Sequence, residues 1–293
     1  MNVHCERIPR SVLQGASTGG FPRVNASDLE AHVGLIRSLA AFGGLGFLLA
    51  LEAWRPFRAP VQAKLGHVAV NLGVAGTNAV AVNLVFGALL LLWAGRASDA
   101  GWGLFAALGL GGAPRVAASI VALDLIFYGV HWANHRVPVL WRFHRAHHSD
   151  LDFDVTTALR FHLGEVLVST GVKAACVVAL GVPPMGLAVF EMTLLAAAQF
   201  QHSNLRLPGP WDARLRALIV TPDMHRIHHS RVPTEHNANF GTIFSGWDRL
   251  IGTYRMAVRQ EDIAIGLASY PSLDRVTFVR FWGMPFGPGC RQG

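Results

Sequence analysis

The sequence predicts an all-α, multi-span membrane protein with a histidine-rich helical cap on the cytoplasmic side, and three observations support this fold class. First, 52% of the 293 residues are hydrophobic and only 15% are charged, whereas soluble domains usually carry about 25% charged residues. Second, the apolar residues are gathered into long runs, and a spanning helix needs about 20 such residues. Third, eleven of the fourteen histidines lie between positions 131 and 236.

The apolar runs predict the spans in order. They cover residues 34–53, 68–94, 116–130, 163–182 and 185–200, and Pro183-Pro184 separates the last two. The second run holds 27 residues without a charge, which argues against the alternative of buried helices in a large soluble core. We expect four spans, with five as the alternative.

The chain divides into three regions on composition. Residues 1–33 are polar and rich in Gly, Ser and Thr, so we expect this segment to be disordered and not to act as a signal peptide. Residues 34–256 form the expected membrane domain, and residues 257–293 form a C-terminal tail. Cys5, Cys176 and Cys290 are far apart and predict no disulfide framework.

Positive charge marks the expected orientation. The net charge is +7, but no basic helix or aromatic-basic motif points to nucleic acid. Arginines instead follow the apolar runs, for example at Arg55, Arg136, Arg142 and Arg214. Loops rich in Arg and Lys remain in the cytoplasm. The histidine sets lie in or beside these loops, so we expect a metal site that faces the cytoplasm near the membrane surface.

Eight histidines form three tight sets. Residues three and four apart share one face of a helix, with Cβ atoms about 5–6 Å apart, so imidazoles at this spacing can converge on one metal ion. Neutral imidazole suits zinc, copper, iron and nickel. Three sets in about 100 residues predict more than one ion. The sets are His131 and His135; His144, His147 and His148; and His225, His228 and His229.

Single histidines and carboxylates extend the candidate site. His202, His162 and His236 are further candidate ligands, in decreasing order of expectation. An all-imidazole shell calls for carboxylates that orient the rings, and Asp124 is the sharpest case because an unpaired carboxylate in an apolar run is costly. The candidates for this role are Asp124, Asp150, Asp154, Glu165 and Asp223.

In their order along the chain, these motifs resemble the fatty acid hydroxylase superfamily, which includes sterol desaturases and sphingolipid hydroxylases. The resemblance covers roughly residues 35–256. Trp132 and Leu163 depart from residues usual in the family, but neither position is a ligand. The segments that carry the resemblance run from Asp124 to His135, from Leu140 to Ser149, from Thr157 to His162, from Gln201 to Asn204, from Thr221 to Ser230, and from Asn239 to Tyr254.

The resemblance implies an integral membrane oxygenase with a non-haem di-iron centre, which uses O₂ and two electrons to hydroxylate or desaturate a membrane lipid. The sequence has no dinucleotide-binding glycine motif and no haem or iron–sulfur cysteine pattern. We therefore expect a separate electron donor, of the ferredoxin or cytochrome type, with its reductase. The main alternative is a metal-binding protein or metal transporter, for which Asp124, Lys173 and Glu191 are the mid-membrane candidates.

Overall fold

All regular elements in the described part of the computed structural model are helices, which confirms the all-α fold class. The structure describes residues 35–36 and 38–287, so the polar segment 1–33 lies outside the described residues. A π-helix at Leu39–Gly43 leads directly into the α-helix Gly44–Trp54. The α-helices are α1 Gly44–Trp54, α2 Lys64–Val85, α3 Leu89–Asp99, α4 Leu104–Ala107, α5 Gly112–Arg136, α6 Pro138–His148, α7 Leu163–Leu180, α8 Pro184–Gln201, α9 Gly209–Leu215, α10 Pro222–His228, α11 Pro233–His236, α12 Gly246–Ile251 and α13 Phe278–Gly283. The 3₁₀ turns are Val155–Leu159, Gln260–Asp262, Leu273–Arg275 and Met284–Phe286.

Three of the described helices are long and apolar enough to cross a membrane, namely α2, α5 and α7. Fewer than a quarter of the residues in each are buried within the protein, so apolar side chains such as Leu65 and Leu84 point outward. This count is lower than the four or five spans expected from the sequence. Helix α8 is not among the three. It carries Glu191, Gln199 and Gln201 within its 18 residues, and these polar side chains lower its mean hydropathy.

The second apolar run, predicted as one span over 68–94, is broken in the structure. Helix α2 ends at Val85, and α3 begins at Leu89. Gly87 between them has φ +37°, and a Cβ at this position would lie 2.9 Å from the Asn83 carbonyl oxygen. A continuous helix is therefore interrupted at a residue whose backbone conformation favours glycine.

Helices α7 and α8 form a helical hairpin about the Pro183-Pro184 break that separates the last two apolar runs. Gly181 ends α7 with φ +71°, and a Cβ there would lie 2.1 Å from the carbonyl oxygen of Trp102, so only glycine fits this turn. Pro184 then starts α8, where its missing N–H costs no helical hydrogen bond. Arg115, near the start of α5, donates hydrogen bonds to the Gly181 carbonyl. The turn therefore packs against the start of α5, and the open end of the hairpin lies toward the end of α5, where His131 and His135 are located.

The apolar core lies between these helices. Leu123 of α5, Val177 of α7, and Leu187 and Phe190 of α8 are fully buried in one cluster. Residues 257–287 fold back onto the protein, because Phe281 of α13 is buried in a second cluster with Val74 of α2 and Ala146 of α6. These contacts pack α13 against the middle of α2 and the end of α6, which carries three of the histidines.

Candidate metal centre

Four helices deliver nine histidines to one place. The end of α5 supplies His131 and His135, α6 supplies three, the end of α8 is capped by His202, and α10 with its C-cap supplies three more. Pro138 starts α6 two residues after α5 ends, which folds α6 back against α5. All nine side chains except that of His131 are buried. The apolar spans therefore carry the histidines at one end of the helices rather than along their length.

The nine histidines separate into two groups. In each group the candidate ligand atoms lie within 4.8 Å of one another. Nitrogens about 2.1 Å from a shared ion can be at most ~4.2 Å apart, so each group needs only a small contraction to bind one ion. The first histidine group is His131, His135, His144, His148 and His228, and the second histidine group is His147, His202, His225 and His229.

Both His-x-x-His-His motifs are divided between the groups. His147 belongs to the second histidine group while the adjacent His148 belongs to the first, and His228 and His229 are divided in the same way. Consecutive helical residues point in directions about 100° apart, so a doubled histidine can serve two sites. The rings of His148 and His229 stack at 4.5 Å between the two groups. This geometry explains why two such motifs occur in one chain.

Hydrogen bonds fix the tautomers of several rings. Nδ1 of His131, His147, His202 and His228 donates to the backbone carbonyls of Phe240, Arg160, Ala198 and Ala238, respectively, at 2.7–3.2 Å. Carbonyl oxygens can only accept, so the proton of each neutral ring is on Nδ1. Nε2 is then left with a lone pair, which is the form that binds a metal.

Burial keeps these rings neutral. Burial is the largest cause that lowers the pKa values of five rings well below their ordinary value, and the neighbouring imidazoles are the next. The five rings are those of His147, His148, His225, His228 and His229. Burial also lowers the pKa of His202 to about 4. Metal ligation needs neutral imidazole, so the protein holds these histidines ready for it at neutral pH.

Two opposed lone pairs provide the clearest sign of a cation. Nε2 of His202 lies 3.2 Å from Nε2 of His147, although both rings carry their proton on Nδ1. No proton lies between these nitrogens, and the contact is repulsive unless a cation binds both. Nε2 of His228 and both nitrogens of His229 are also buried without a hydrogen-bond partner among the described residues. The residues present therefore fit two metal ions.

Glu165 is the carboxylate that contacts a candidate ligand directly. Its Oε1 accepts a hydrogen bond from Nδ1 of His144 at 2.7 Å and another from Asn134 at 3.0 Å. The sequence suggested Glu165 as one of several such carboxylates, but it gave no reason to select Asn134. Glu165 orients His144 so that its Nε2 faces the first histidine group.

Asp124 accepts hydrogen bonds from the segment 242–247 rather than from a histidine. Its carboxylate accepts hydrogen bonds from Thr242, from the backbone N–H groups of Ile243 and Phe244, and from the indole of Trp247. This segment follows Phe240, whose carbonyl accepts from His131. Asp124 is thus buried and hydrogen-bonded, but its partners are not the histidine rings that it was expected to orient, and it reaches the candidate metal centre only through the segment that it anchors.

The Asp124 contacts lead to a prediction about stability. In Asp124→Asn an amide N–H₂ would replace one oxygen and face two donors, and each buried donor left without an acceptor costs about 1–3 kcal/mol. We expect a lower melting temperature in detergent, with the metal content per folded chain reduced less than the amount of folded protein. Asp99→Asn, at an exposed carboxylate, is the matched control. An unchanged melting temperature for Asp124→Asn would show that the carboxylate does not anchor the segment.

The carboxylates of the remaining candidates bond to groups other than the proposed ligands. Asp223 pairs with Arg226 at 2.7 Å. Asp150 and Asp154 contact His67 at 2.9 Å, and Asp154 also contacts Lys64. His67 was not singled out in the sequence because it stands alone, 64 residues before His131. Its buried network joins the start of α2 to the loop after α6.

Two of the single histidines lie outside both groups. Nδ1 of His162 accepts from the backbone N–H of Gly164 as the N-cap of α7, and Nε2 contacts the Trp282 carbonyl. Both nitrogens of His162 therefore contact backbone groups outside the two histidine groups, and His162 is not one of the proposed ligands. The His236 ring stacks on Trp141, so it packs against the first histidine group without joining it.

An apolar cavity of about 370 Å³ adjoins both groups. It is lined at one end by His131, His144, His147, His202 and His225, and it continues between α5, α7 and α8. Phe127, Val130, Val166, Leu194 and Leu195 form its apolar walls. The volume falls in the range of small-molecule binding sites.

Residues 116–253 match the sequence model of the fatty acid hydroxylase family. This range contains all nine histidines of the two groups, and the match confirms the resemblance drawn from the motifs. No solved structure gives a significant match to the chain.

Curated relatives are named as lipid hydroxylases and monooxygenases. An ornithine lipid hydroxylase of Rhizobium tropici is 32% identical over 52% of this chain and 45% of its own length. Human alkylglycerol monooxygenase is 28% identical over 51% of this chain and 32% of its own. Rat cholesterol 25-hydroxylase is 27% identical over 53% of this chain and 51% of its own. The chain thus spans about half or less of the length of these relatives.

Proposed function

We propose that this chain, which carries a fatty acid hydroxylase domain at residues 116–253, is a membrane oxygenase that hydroxylates or desaturates a C–H bond of a lipid. The observation that carries the proposal is the apolar cavity that ends at two groups of neutral histidines. The relatives are named for three different lipids, which supports the lipid class rather than one substrate.

Two iron ions are the proposed cofactors. The first histidine group would hold one and the second histidine group the other, with O₂ as co-substrate. Iron bound there would supply the electron-transfer chemistry needed to reduce O₂ and oxidise an unactivated C–H bond. Hydroxylation then consumes O₂, two electrons and two protons for each lipid, and it yields an alcohol and water.

The residues of the chain position the substrate and protect the centre. The apolar walls at Phe127, Val130 and Leu194 accept a hydrocarbon chain and exclude water from the histidine end of the cavity. Glu165 fixes the His144 ring, and the backbone carbonyls of Phe240 and Ala238 fix the rings of His131 and His228. Preorganised ligands of this kind need little rearrangement when the metal binds.

A turnover assay tests the proposed function. Purified protein loaded with ferrous iron should convert lipids from a membrane extract only when a ferredoxin- or cytochrome-type donor and its reductase are present. With isotopically labelled O₂, the label should appear in a lipid hydroxyl group, or a double bond should form. Turnover sustained without added electrons would contradict the oxygenase. Metal flux across vesicles, with no lipid product, would favour a metal transporter.

The histidine end of the helices is proposed to face the cytoplasm. Arg55, Arg136, Arg142 and Arg206 are exposed at this end, and such loops remain in the cytoplasm. Arg145 and Arg226 do not support the orientation, because both are buried and donate hydrogen bonds within the protein.

Cysteine labelling tests this orientation. Thr234 at the histidine end and Asp99 at the opposite end are both exposed, so single cysteines there, in a chain whose own three cysteines are replaced, form a matched pair. An impermeant maleimide should label Asp99→Cys in intact cells and Thr234→Cys only after the cells are opened. The reverse pattern would overturn the topology.

A further inference from the structure

We propose that Lys173 and Glu191 form the binding site for a hydroxyl group of the lipid substrate, at the end of the cavity remote from the histidines. This inference rests on the proposed function and adds a substrate class, namely a lipid that carries a hydroxyl group at a set distance from the oxidised carbon. It also assigns these two residues as specificity determinants.

The ion pair lies between two helices of the membrane base. Nζ of Lys173 on α7 is 2.6 Å from Oε1 of Glu191 on α8, and both side chains are largely buried. Charged groups at this depth are costly, and they usually face a cavity or the interior of a helix bundle and mark a functional path. Both residues line the same cavity as His144 and His202.

The pair is set well away from the histidines along both helices. Lys173 is eight residues after Glu165, which contacts His144, and this spacing corresponds to about 12 Å along α7. Glu191 is eleven residues before His202, which corresponds to about 16 Å along α8. The cavity therefore has a metal-binding end and a distant polar end, with apolar walls between them.

The chemistry of the pair selects the group that it binds. An ammonium can only donate hydrogen bonds and an ionised carboxylate can only accept them, whereas a hydroxyl does both. One lipid hydroxyl can therefore accept from Lys173 and donate to Glu191. The pair is neutral overall, so it offers no net charge to attract a phosphate or other ionic headgroup. Ser169 and Thr170, which also line the cavity, add polar atoms one turn away on α7.

This arrangement predicts the position of attack. A lipid held by its hydroxyl at Lys173 and Glu191 extends its hydrocarbon toward the two histidine groups. Oxidation then occurs at a carbon well removed from the hydroxyl, because Lys173 and Glu191 lie about 12–16 Å along α7 and α8 from Glu165 and His202. A lipid of the same shape without the hydroxyl lacks this anchor.

Matched probes test the proposal without requiring turnover. The melting temperature of the purified protein in detergent would be measured against increasing stearyl alcohol or octadecane, and against cholesterol or cholestane. We expect wild-type protein to bind at least one alcohol about tenfold more tightly than its alkane, since hydrogen bonds to charged groups have effects of this size. Equal binding of alcohol and alkane in both pairs would overturn the proposal.

Variants of the pair provide the second measurement. Lys173→Met with Glu191→Met should remove the preference for the alcohol while keeping the binding of the alkane. Lys173→Glu with Glu191→Lys restores an ion pair and should recover part of the preference. Retention of the full preference in the double methionine variant would assign the pair to helix packing alone. Binding of the alkane by each variant shows that the variant is folded.

A failure of the hydroxyl site can be distinguished from a failure of the proposed oxygenase function. Protein that prefers the alcohol but oxidises neither probe, with iron and an electron donor supplied, would contradict the oxygenase and leave the hydroxyl site standing. Protein that oxidises alcohol and alkane equally well, at the same carbon, would contradict the hydroxyl site and leave the oxygenase standing.

Discussion

Replacing His225 with alanine is expected to abolish the proposed lipid turnover and to remove one of the two proposed metal ions. His225 is one of four residues in the second histidine group, and its Nε2 lies 3.0 Å from Nε2 of His202. Loss of a residue that merely orients a ligand typically costs 10–100-fold in affinity or activity, so loss of a ligand should cost more. The first histidine group should keep its ion, because its five members are unchanged.

His162→Ala is the matched control for this variant. His162 is a histidine in the same region, but it caps α7 and contacts neither group. Its removal should cost about 0.5–2 kcal/mol of stability through the lost cap, with both ions and most of the turnover retained. Near-normal turnover in His225→Ala would show that the second histidine group is not a metal site.

Replacing Glu165 with glutamine is expected to weaken metal binding by about 10–100-fold, the usual effect of losing an orienting carboxylate. Glutamine keeps the length of the side chain and an oxygen that can accept from His144, but it removes the negative charge that strengthens this bond. The measurement is the retention of iron against a competing chelator, together with turnover under saturating iron.

Glu235→Gln is the control for the loss of a carboxylate. Glu235 is half-buried on α11 and accepts from Ser230, away from both groups. It should retain iron as the wild-type protein does. If Glu165→Gln released iron no faster than Glu235→Gln, the proposed role of Glu165 in orienting His144 would be wrong.

The sequence predicted the fold class and the eight histidines of the three sets, because both depend on local patterns, whereas His202 was only a single candidate. Apolar runs and i, i+3, i+4 spacing are visible without tertiary structure. The division of His147 from His148, and of His228 from His229, between two groups was not predicted. It depends on how α6 and α10 are rotated toward α5 and α8, which the spacing along one helix does not specify.

Long-range partners also escaped the sequence. An unpaired carboxylate in an apolar run is energetically costly, so the sequence indicated that Asp124 has hydrogen-bond partners. The donors that bond to it, however, lie 118–123 residues away along the chain. The carbonyls that orient the histidine rings belong to the backbone, so no residue type signals them. Lys173 and Glu191 were noted as mid-membrane charges but not as a pair, and the turn at Gly181 brings them to 2.6 Å.

The break at Phe86–Ala88 shows the limit of composition as a guide. Residues 68–94 are uncharged throughout, so composition alone predicts one continuous helix. The positive φ of Gly87 ends α2 before the run is complete. Glycine inside an apolar run is common in membrane helices, so its presence did not reveal the interruption.

The central claim is that the nine histidines of the two groups hold two metal ions, and iron analysis of the purified protein tests it most directly. Protein reconstituted with ferrous iron in detergent, freed of excess metal and quantified by amino-acid analysis, should contain close to two iron ions per chain. His225→Ala should contain close to one. A wild-type value near one, in protein that turns over lipid at its full rate, would contradict the two-metal account.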